Sequence, residues 1–260
     1  MMKKKVALVL ASGGARGLAH IGAIEALESR QYEITSLAGC SAGALIGGIY
    51  AAGKLKEAKE WFLNLDIQKM LSLGDFKISK NYLMRGDKIV DAFREIVPDS
   101  KIEDLPIPVS LVASDMIHNR EVVIETGSLF DAVRASVSIP VFFRPVPKGD
   151  MLLVDGGLLN ACPLNRVRRQ EGDILATLNI SAPDSIENSG TLTYTSMLSR
   201  MMDMMIQNNT VLISQMVKAD ILAEMPMNQY HTFAFDKAEE IIELGRHLMN
   251  DAIDRYENSK

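Results

Sequence analysis

The sequence predicts an α/β protein with a mostly parallel central sheet covered by helices on both faces. Three observations lead there. Short aliphatic runs alternate with segments whose apolar residues recur at helical spacing, the pattern of strand–helix–strand units. Several of those runs are continuously apolar, as befits strands buried on both faces. Glycines and other turn residues punctuate the joints between them. Composition agrees: the 260 residues are 47% hydrophobic and 23% charged. That is a globular balance for one or two domains, and it excludes a disordered, collagen-like or coiled-coil chain.

Residues 5–10 are the first strand. Lys3, Lys4 and Lys5 ahead of an apolar run have the look of a secretory leader, but the run meets Ser12, Gly13 and Gly14 before reaching the ~7–15 apolar residues a leader needs. A helix follows at 18–29, with Leu18, Ile21, Ile24 and Leu27 on one face. Residues 36–40 are a short strand and 42–52 an apolar helix, with amphipathic helices at 56–65 and 87–96. Two strands, 109–114 and 121–125, flank polar His118, Asn119 and Arg120 and read as a hairpin. The helix at 129–136 stops ahead of Pro140. Strands at 151–154 and 173–180 enclose a short helix at 163–169. The remainder reads as mainly helical after a polar linker at 183–190. Asp236 and Glu239 suit an N-cap and N3 pair opening a last helix that runs to about Tyr256. No internal repeat is visible. The linker divides a core, 4–180, from a helical C-terminal part, 181–260, expected to pack on the same domain.

The chain carries 28 basic and 33 acidic residues, net −5, and offers no positive field to nucleic acid. Nucleic acid is therefore not an expected partner. No stretch approaches the ~18 consecutive apolar residues of a spanning helix, so the protein is expected to be soluble or to touch membranes only at their surface. Two cysteines, Cys40 and Cys162, lie far apart in a chain large enough to fold without staples. That points to a reduced, cytoplasmic setting. No Cys/His cluster has zinc-ligand spacing, and neither a metal nor an organic cofactor is expected.

Two segments carry chemistry. Gly39-Cys40-Ser41-Ala42-Gly43 is a G-x-S-x-G sequence between an expected strand and an expected helix. Taken alone it arises by chance about once in ten chains of this length. In this setting, a sharp strand-to-helix turn would expose Ser41 and aim the following helix's N-terminal dipole at it. A small-residue packing turn is the plainer alternative. The second segment, Ser12-Gly13-Gly14-Ala15-Arg16-Gly17, joins the first strand to the first helix. It lacks the first glycine of a dinucleotide loop, and the second strand ends without an acidic ribose-binding residue. Uncovered backbone N–H groups at consecutive glycines suit an oxyanion hole instead. A P-loop lookalike ending at Gly53-Lys54 fails because Leu55 replaces the required Ser or Thr; Gly53 reads as a helix terminator.

An activated serine needs a proton acceptor. Among the histidines, His20 reads as a structural residue on an apolar helix face, His118 lies in the hairpin turn, and His247 lies in the last helix. His231 suits a triad by sequence order, with no motif around it. Asp155-Gly156-Gly157 ends an apolar strand, where α/β folds place their chemistry. Its carboxylate, ionised at neutral pH, could act as a base directly. An Asx-type turn ahead of two glycines is the alternative.

Three motifs in this order, Ser12–Gly17, Gly39–Gly43 and Asp155–Gly157, resemble the patatin-like phospholipase family. Leu18-Ala-His-Ile-Gly22 and Val133-Arg-Ala-Ser-Val-Ser-Ile-Pro140 are similar to it as well. The resemblance covers roughly residues 4–180. It implies a patatin-type three-layer α/β/α fold and a bacterial-type serine esterase or lipid acyl hydrolase working through a Ser–Asp dyad. Ser41 would be the nucleophile and Asp155 the proton acceptor, with Gly13, Gly14 and the Arg16 region lining the oxyanion hole. Gly39, Gly43, Gly156 and Gly157 would be motif glycines. The loop departs from the family in opening with Ser12 where glycine is usual. The implied partner is a phospholipid, lysophospholipid or other acyl ester, met in the cytoplasm or peripherally at the inner membrane surface; the sequence carries no sign of an oligomeric state. An acyltransferase or thioesterase using His231, and a non-catalytic lipid-binding module, are the rival readings.

Two further clusters read as ordinary structure. Met197, Met201, Met202, Met204, Met205 and Met216 crowd one helical region. They suit an acyl-chain channel or lid, but more readily a buried helix. Arg166, Arg168 and Arg169 suit a solvated helix face more readily than an anionic head-group site.

Overall fold

The computed structural model describes residues 3–65, 93–183 and 193–260. The chain begins in the middle of its own sheet. In β1 (Lys4–Leu10), Val6 to Leu10 are fully buried in unbroken succession, so both faces of this strand are covered. β1 pairs in parallel with β2 (Tyr32–Cys40) on one edge and β7 (Ile174–Ala182) on the other. β3 (Val109–Asp115) extends the sheet beyond β2, and β8 (Ile221–Pro226) extends it beyond β7, both in parallel.

Parallel neighbours require crossovers, and helices provide them. A 3-10 turn (Gly14–Leu18) and α1 (Ala19–Ser29) link β1 to β2. α2 (Ala42–Ala51) and α3 (Leu55–Leu63) follow β2. Further helices are α4 (Leu129–Ser136), the four-residue α5 (Gly157–Asn160), α6 (Tyr194–Met216) and α7 (Ala238–Asn258), which packs along α1.

The antiparallel strands decide where the site can form. β4 (Arg120–Ile124) pairs with β3 over Leu111–Asp115, and β2 pairs with it over Val109–Val112. Both use Leu111 and Val112, so they must occupy opposite edges of β3. β6 (Met151–Asp155) pairs with β3 over Ala113–Asp115, which β4 also uses on its own edge. β6 therefore lies on the β2 edge, past the end of β2, with β5 (Val146–Lys148) alongside it. β2 and β6 run toward each other and stop with Cys40 opposite Val112 and Asp155 opposite Ala113.

Most expected elements are present, including the hairpin at β3–β4 and the helix ending ahead of Pro140. Several expectations need correction. The C-terminal part is not simply helical, because Ile221–Pro226 forms β8. The helix expected at 163–169 is absent, and the helical turn lies earlier, at α5. β6 is antiparallel, so Asp155 does not end a parallel strand. Asp236 does not cap α7: the N-cap is Lys237, without a side-chain bond, and Glu239 and Glu240 occupy the first turn. There they still complement the helix dipole. Of the helix expected at 87–96, residues 87–92 lie outside the described residues, while 93–96 are helical. Nearly all of the 183–190 linker also lies outside them.

Candidate active site

Ser41 is the single residue between the end of β2 and the start of α2. Its backbone stands at φ 53°, ψ −118°, outside the regions a side chain normally permits and costing on the order of 1–3 kcal/mol. Its surroundings hold it there. The Ser41 N–H donates to Ser136 Oγ at 2.8 Å, and the Ser136 hydroxyl donates to the Val112 carbonyl at 2.6 Å. Ser136, fully buried on α4, thus staples the turn to β3. Crowding allows nothing larger beside it. A Cβ on Gly43 would lie 2.0 Å from the Leu10 carbonyl oxygen, and Gly39 packs against the Gly43 carbonyl.

Asp155 reaches Ser41 because β6 stops one register position beyond the end of β2. The Ser41 hydroxyl donates to Asp155 Oδ2 at 2.6 Å. Oδ1 accepts the Gly157 N–H at 2.8 Å and lies 4.0 Å from Cys40 Sγ. Burial raises the Asp155 carboxyl from 3.8 to about 6, against the opposing pull of the Ser41 hydroxyl and the Gly157 N–H. The group is ionised at neutral pH yet far more basic than an exposed aspartate. Gly156 lies over the Val112 carbonyl, close under Cys40.

The glycine loop arrives by register. Leu10 pairs with Gly39, so the residues after β1 run beside the Ser41 turn. Ser12 donates its N–H to the Ala161 carbonyl and Ala15 to the Thr232 carbonyl, both at 2.8 Å. Between them, Gly13 and Gly14 find no acceptor for their N–H groups among the described residues. Gly14, at φ 60°, adopts a conformation that glycine tolerates best. Arg16 holds the loop from behind. Its guanidinium is buried and donates to the carbonyls of Ile180 (3.0 Å), Met227 (2.6 Å) and Tyr230 (2.8 Å). Burial draws it down to about 10, which leaves it charged at neutral pH.

Ser41, Asp155, Gly13, Gly14 and Arg16 line one cavity of about 270 Å³. Ile139, Phe142, Leu158, Met202, Ile206 and Phe233 give it an apolar side, with the Phe142 and Phe233 rings 5.6 Å apart. Asp203 and His231 add polar groups. His231 thus shares the cavity, but the Ser41 hydroxyl is given to Asp155. His20 is a core residue as expected: Nε2 meets the Ala11 carbonyl at 2.9 Å, and burial depresses it to about 4. His118 sits in the hairpin turn against Asp115, and His247 lies beside Asp251 on α7.

Two expectations about surface clusters are overturned. The methionines of α6 are not buried: Met197, Met201, Met204, Met205 and Met216 are all exposed, and Met202 alone of the group lines the cavity. The three arginines do not form a helix face. They follow α5 on irregular chain and pair with Glu121, Glu125 and Asp220. Sequence reading also misses two contributors. Ser136 lies within the 133–140 stretch, but nothing local marks its role. Asn209, which bonds the α5 turn, leaves no sequence signal. Among the described residues no cluster of three or more His, Cys, Asp or Glu is placed to hold a metal, and no helix is long and apolar enough to cross a membrane.

Comparison with known proteins gives a consistent result. Residues 8–167 match a family model described as patatin-like phospholipase. An NTE family protein of Mycobacterium tuberculosis is 41% identical over 181 residues, which cover 70% of this chain and 50% of that protein. Mouse patatin-like phospholipase domain-containing protein 6 is 31% identical over 193 residues, 71% of this chain and 14% of that protein. The chain thus spans about half the length of that mycobacterial relative, and less of the mouse protein. Among solved structures, VipD from Legionella pneumophila shares the fold at a TM-score of 0.53 and 15% identity, covering 98% of this chain and 67% of that one. ExoU of Pseudomonas aeruginosa, in its complex with SpcU, does so at 0.55 and 15%, covering 98% and 52%.

Proposed function

The chain belongs to the patatin-like phospholipase family, and on that premise we propose that it is a serine hydrolase cleaving acyl ester bonds of lipids: phospholipids, lysophospholipids or smaller carboxyl esters. The 2.6 Å bond from the Ser41 hydroxyl to Asp155 carries the reading. The fit of nucleophile and base is geometric first and electrostatic second.

Ser41 Oγ attacks the ester carbonyl carbon while Asp155 Oδ2 takes the hydroxyl proton. The oxyanion of the tetrahedral intermediate turns to the unpaired N–H groups of Gly13 and Gly14. The dipole of α2, whose first residue follows Ser41, favours the same charge. Collapse expels the alcohol, which takes the proton from Asp155, and leaves an acyl-serine. Water then attacks the acyl carbon and gives a proton to Asp155. As the second tetrahedral intermediate collapses, that proton returns to Ser41 Oγ and the fatty acid departs. The apolar side of the cavity suits the acyl chain. Residues 181–260 act within the same domain on this reading, since β8 continues the sheet and α6 forms a cavity wall. Cys40 and Cys162 are both free and buried, in keeping with a cytoplasmic enzyme that meets lipid peripherally at the inner membrane surface.

The test is release of product from a p-nitrophenyl ester series of increasing acyl length, comparing wild type with Ser41→Ala. Turnover that vanishes with Ser41→Ala is expected, with an optimum length set by the cavity. Turnover on no ester, or turnover that survives the substitution, would overturn the proposal.

A further inference from the structure

We propose that Asn209, on α6, is a positioning residue that fixes both the turn carrying the base and the glycine loop. This rests on the hydrolase reading above. Immediately after Asp155 the chain makes the four-residue turn α5, too short to hold its own shape. In an α-helix the Ala161 N–H would donate to the Gly157 carbonyl, four residues back. It does not. The carboxamide of Asn209 stands between them: Oδ1 accepts the Ala161 N–H at 3.0 Å, and Nδ2 donates to the Gly157 carbonyl at 2.8 Å. One side chain from a distant helix thus replaces a backbone bond and wedges the turn open.

Both ends of this wedge touch the site. Gly157, whose carbonyl Asn209 holds, donates its own N–H to Asp155 Oδ1 at 2.8 Å. Ala161, whose N–H Asn209 holds, accepts the Ser12 N–H that anchors the glycine loop at 2.8 Å. Without the carboxamide, the Ala161 N–H and the Gly157 carbonyl must either stay unpaired or close on each other. Closure would draw them to a normal N···O distance of about 2.9 Å and close the gap the carboxamide fills. Either result shifts Gly157 or Ala161, whose other backbone group holds the base or the loop, and displacements of ~1 Å at a reacting centre cost rate steeply. Asn209 bonds Ala161 and Gly157 rather than Ser41 or Asp155, so its effect passes through these two residues.

Asn209→Ala and the near-isosteric Asn209→Asp, which keeps the acceptor and loses the donor, test this in the full chain. Asn208→Ala, an exposed neighbour, is the control. With soluble p-nitrophenyl butyrate, kcat should fall about 10-fold or more in both Asn209 variants, with KM within about twofold. The acid limb of the rate should also move to higher pH, because the Gly157 N–H that holds Asp155 down is loosened. Among the described residues the Asp155 carboxylate accepts from the Ser41 hydroxyl and the Gly157 N–H, with the Cys40 thiol at 4.0 Å; Arg16, Asp203 and His231 share the cavity, and none of these groups is altered. Hydrogen exchange across 10–16 and 155–162 should quicken in the Asn209 variants and stay unchanged in Asn208→Ala. A lowered Tm with unchanged kcat, acid limb and exchange would overturn the proposal. Should wild type show no Ser41-dependent turnover, the hydrolase reading fails on its own and exchange alone decides: faster exchange upholds the wedge, unchanged exchange removes it.

Discussion

The two walls of the cavity are held in very different ways. The inner wall, formed by β1, the glycine loop and the Ser41 turn, is core: Val6 to Ala11 have no exposure and Ser41 has 3%. Its backbone lies at contact distance from neighbouring backbone, and the Ser41 N–H and hydroxyl are held by buried partners. The outer wall is α6, 23 residues long, in which Thr210 is the one buried side chain among those described. Its outward stripe of Met197, Met201, Met204, Met205, Val211, Leu212 and Met216 is 38–76% exposed and carries no charge. The proposed nucleophile and oxyanion donors sit in the buried wall, whereas Met202 and Ile206 of the apolar lining come from a helix with a largely exposed apolar stripe. Substitutions should therefore be far costlier on the inner wall.

The largest effect is expected from Asp155→Asn, which removes the proposed base and should lower kcat roughly 1,000-fold. The same change should stabilise the protein at pH 8. The folded-state carboxyl is raised from 3.8 to about 6, so keeping it ionised and buried costs up to roughly 3 kcal/mol above pH 6. That cost fades as pH falls through 6 toward 3.8, where the carboxyl is protonated in both states. Chemical denaturation at pH 8 and pH 4 should show the variant's advantage shrinking at the lower value. An equal gap at both would refute the assignment. Wild-type turnover should correspondingly fall about tenfold per pH unit below 6.

Next in size is Gly43→Ala, whose Cβ would meet the Leu10 carbonyl oxygen at 2.0 Å. That contact is with backbone, and a loss of about 3 kcal/mol in unfolding free energy, read by denaturant titration, is expected. The smallest effect belongs to the outer wall. Met204→Gln exchanges one exposed side chain for another of similar length, and stability should stay within about 0.5 kcal/mol, with soluble-ester turnover unchanged. A large loss there would mean that α6 is held far more firmly than its exposure indicates.

The same contrast marks what the sequence discloses. The inner wall is legible because each part has a local cause: an aliphatic run long enough for one strand, glycines at the joints, a small-residue turn ahead of an apolar helix. The resemblance of three short motifs to a known family then links parts far apart in the chain. The outer wall is not legible. An apolar helical stripe suggests burial, yet exposure depends on what lies opposite, which no residue of α6 records. β8 escapes notice because Ile221-Leu-Ala-Glu-Met-Pro226 is poor in β-branched residues and becomes a strand by pairing with β7. The direction of β6 has no local signal, and neither does the polar wedge at Asn209.

The end-to-end meeting of β2 and β6 along a single edge of β3 has a consequence for the life of the chain before it is complete. Ser41 and Asp155 are 114 residues apart in sequence, and their strands are aligned by pairing with the same edge of β3 rather than with each other. Closing so long a loop is entropically costly, and non-local pairings of this kind tend to form late. A half-folded or half-synthesised chain would then hold a serine with no base beside it. On the proposed hydrolase reading, reactivity toward esters would arise only with the finished sheet, so that completion of the fold would itself be the arming step.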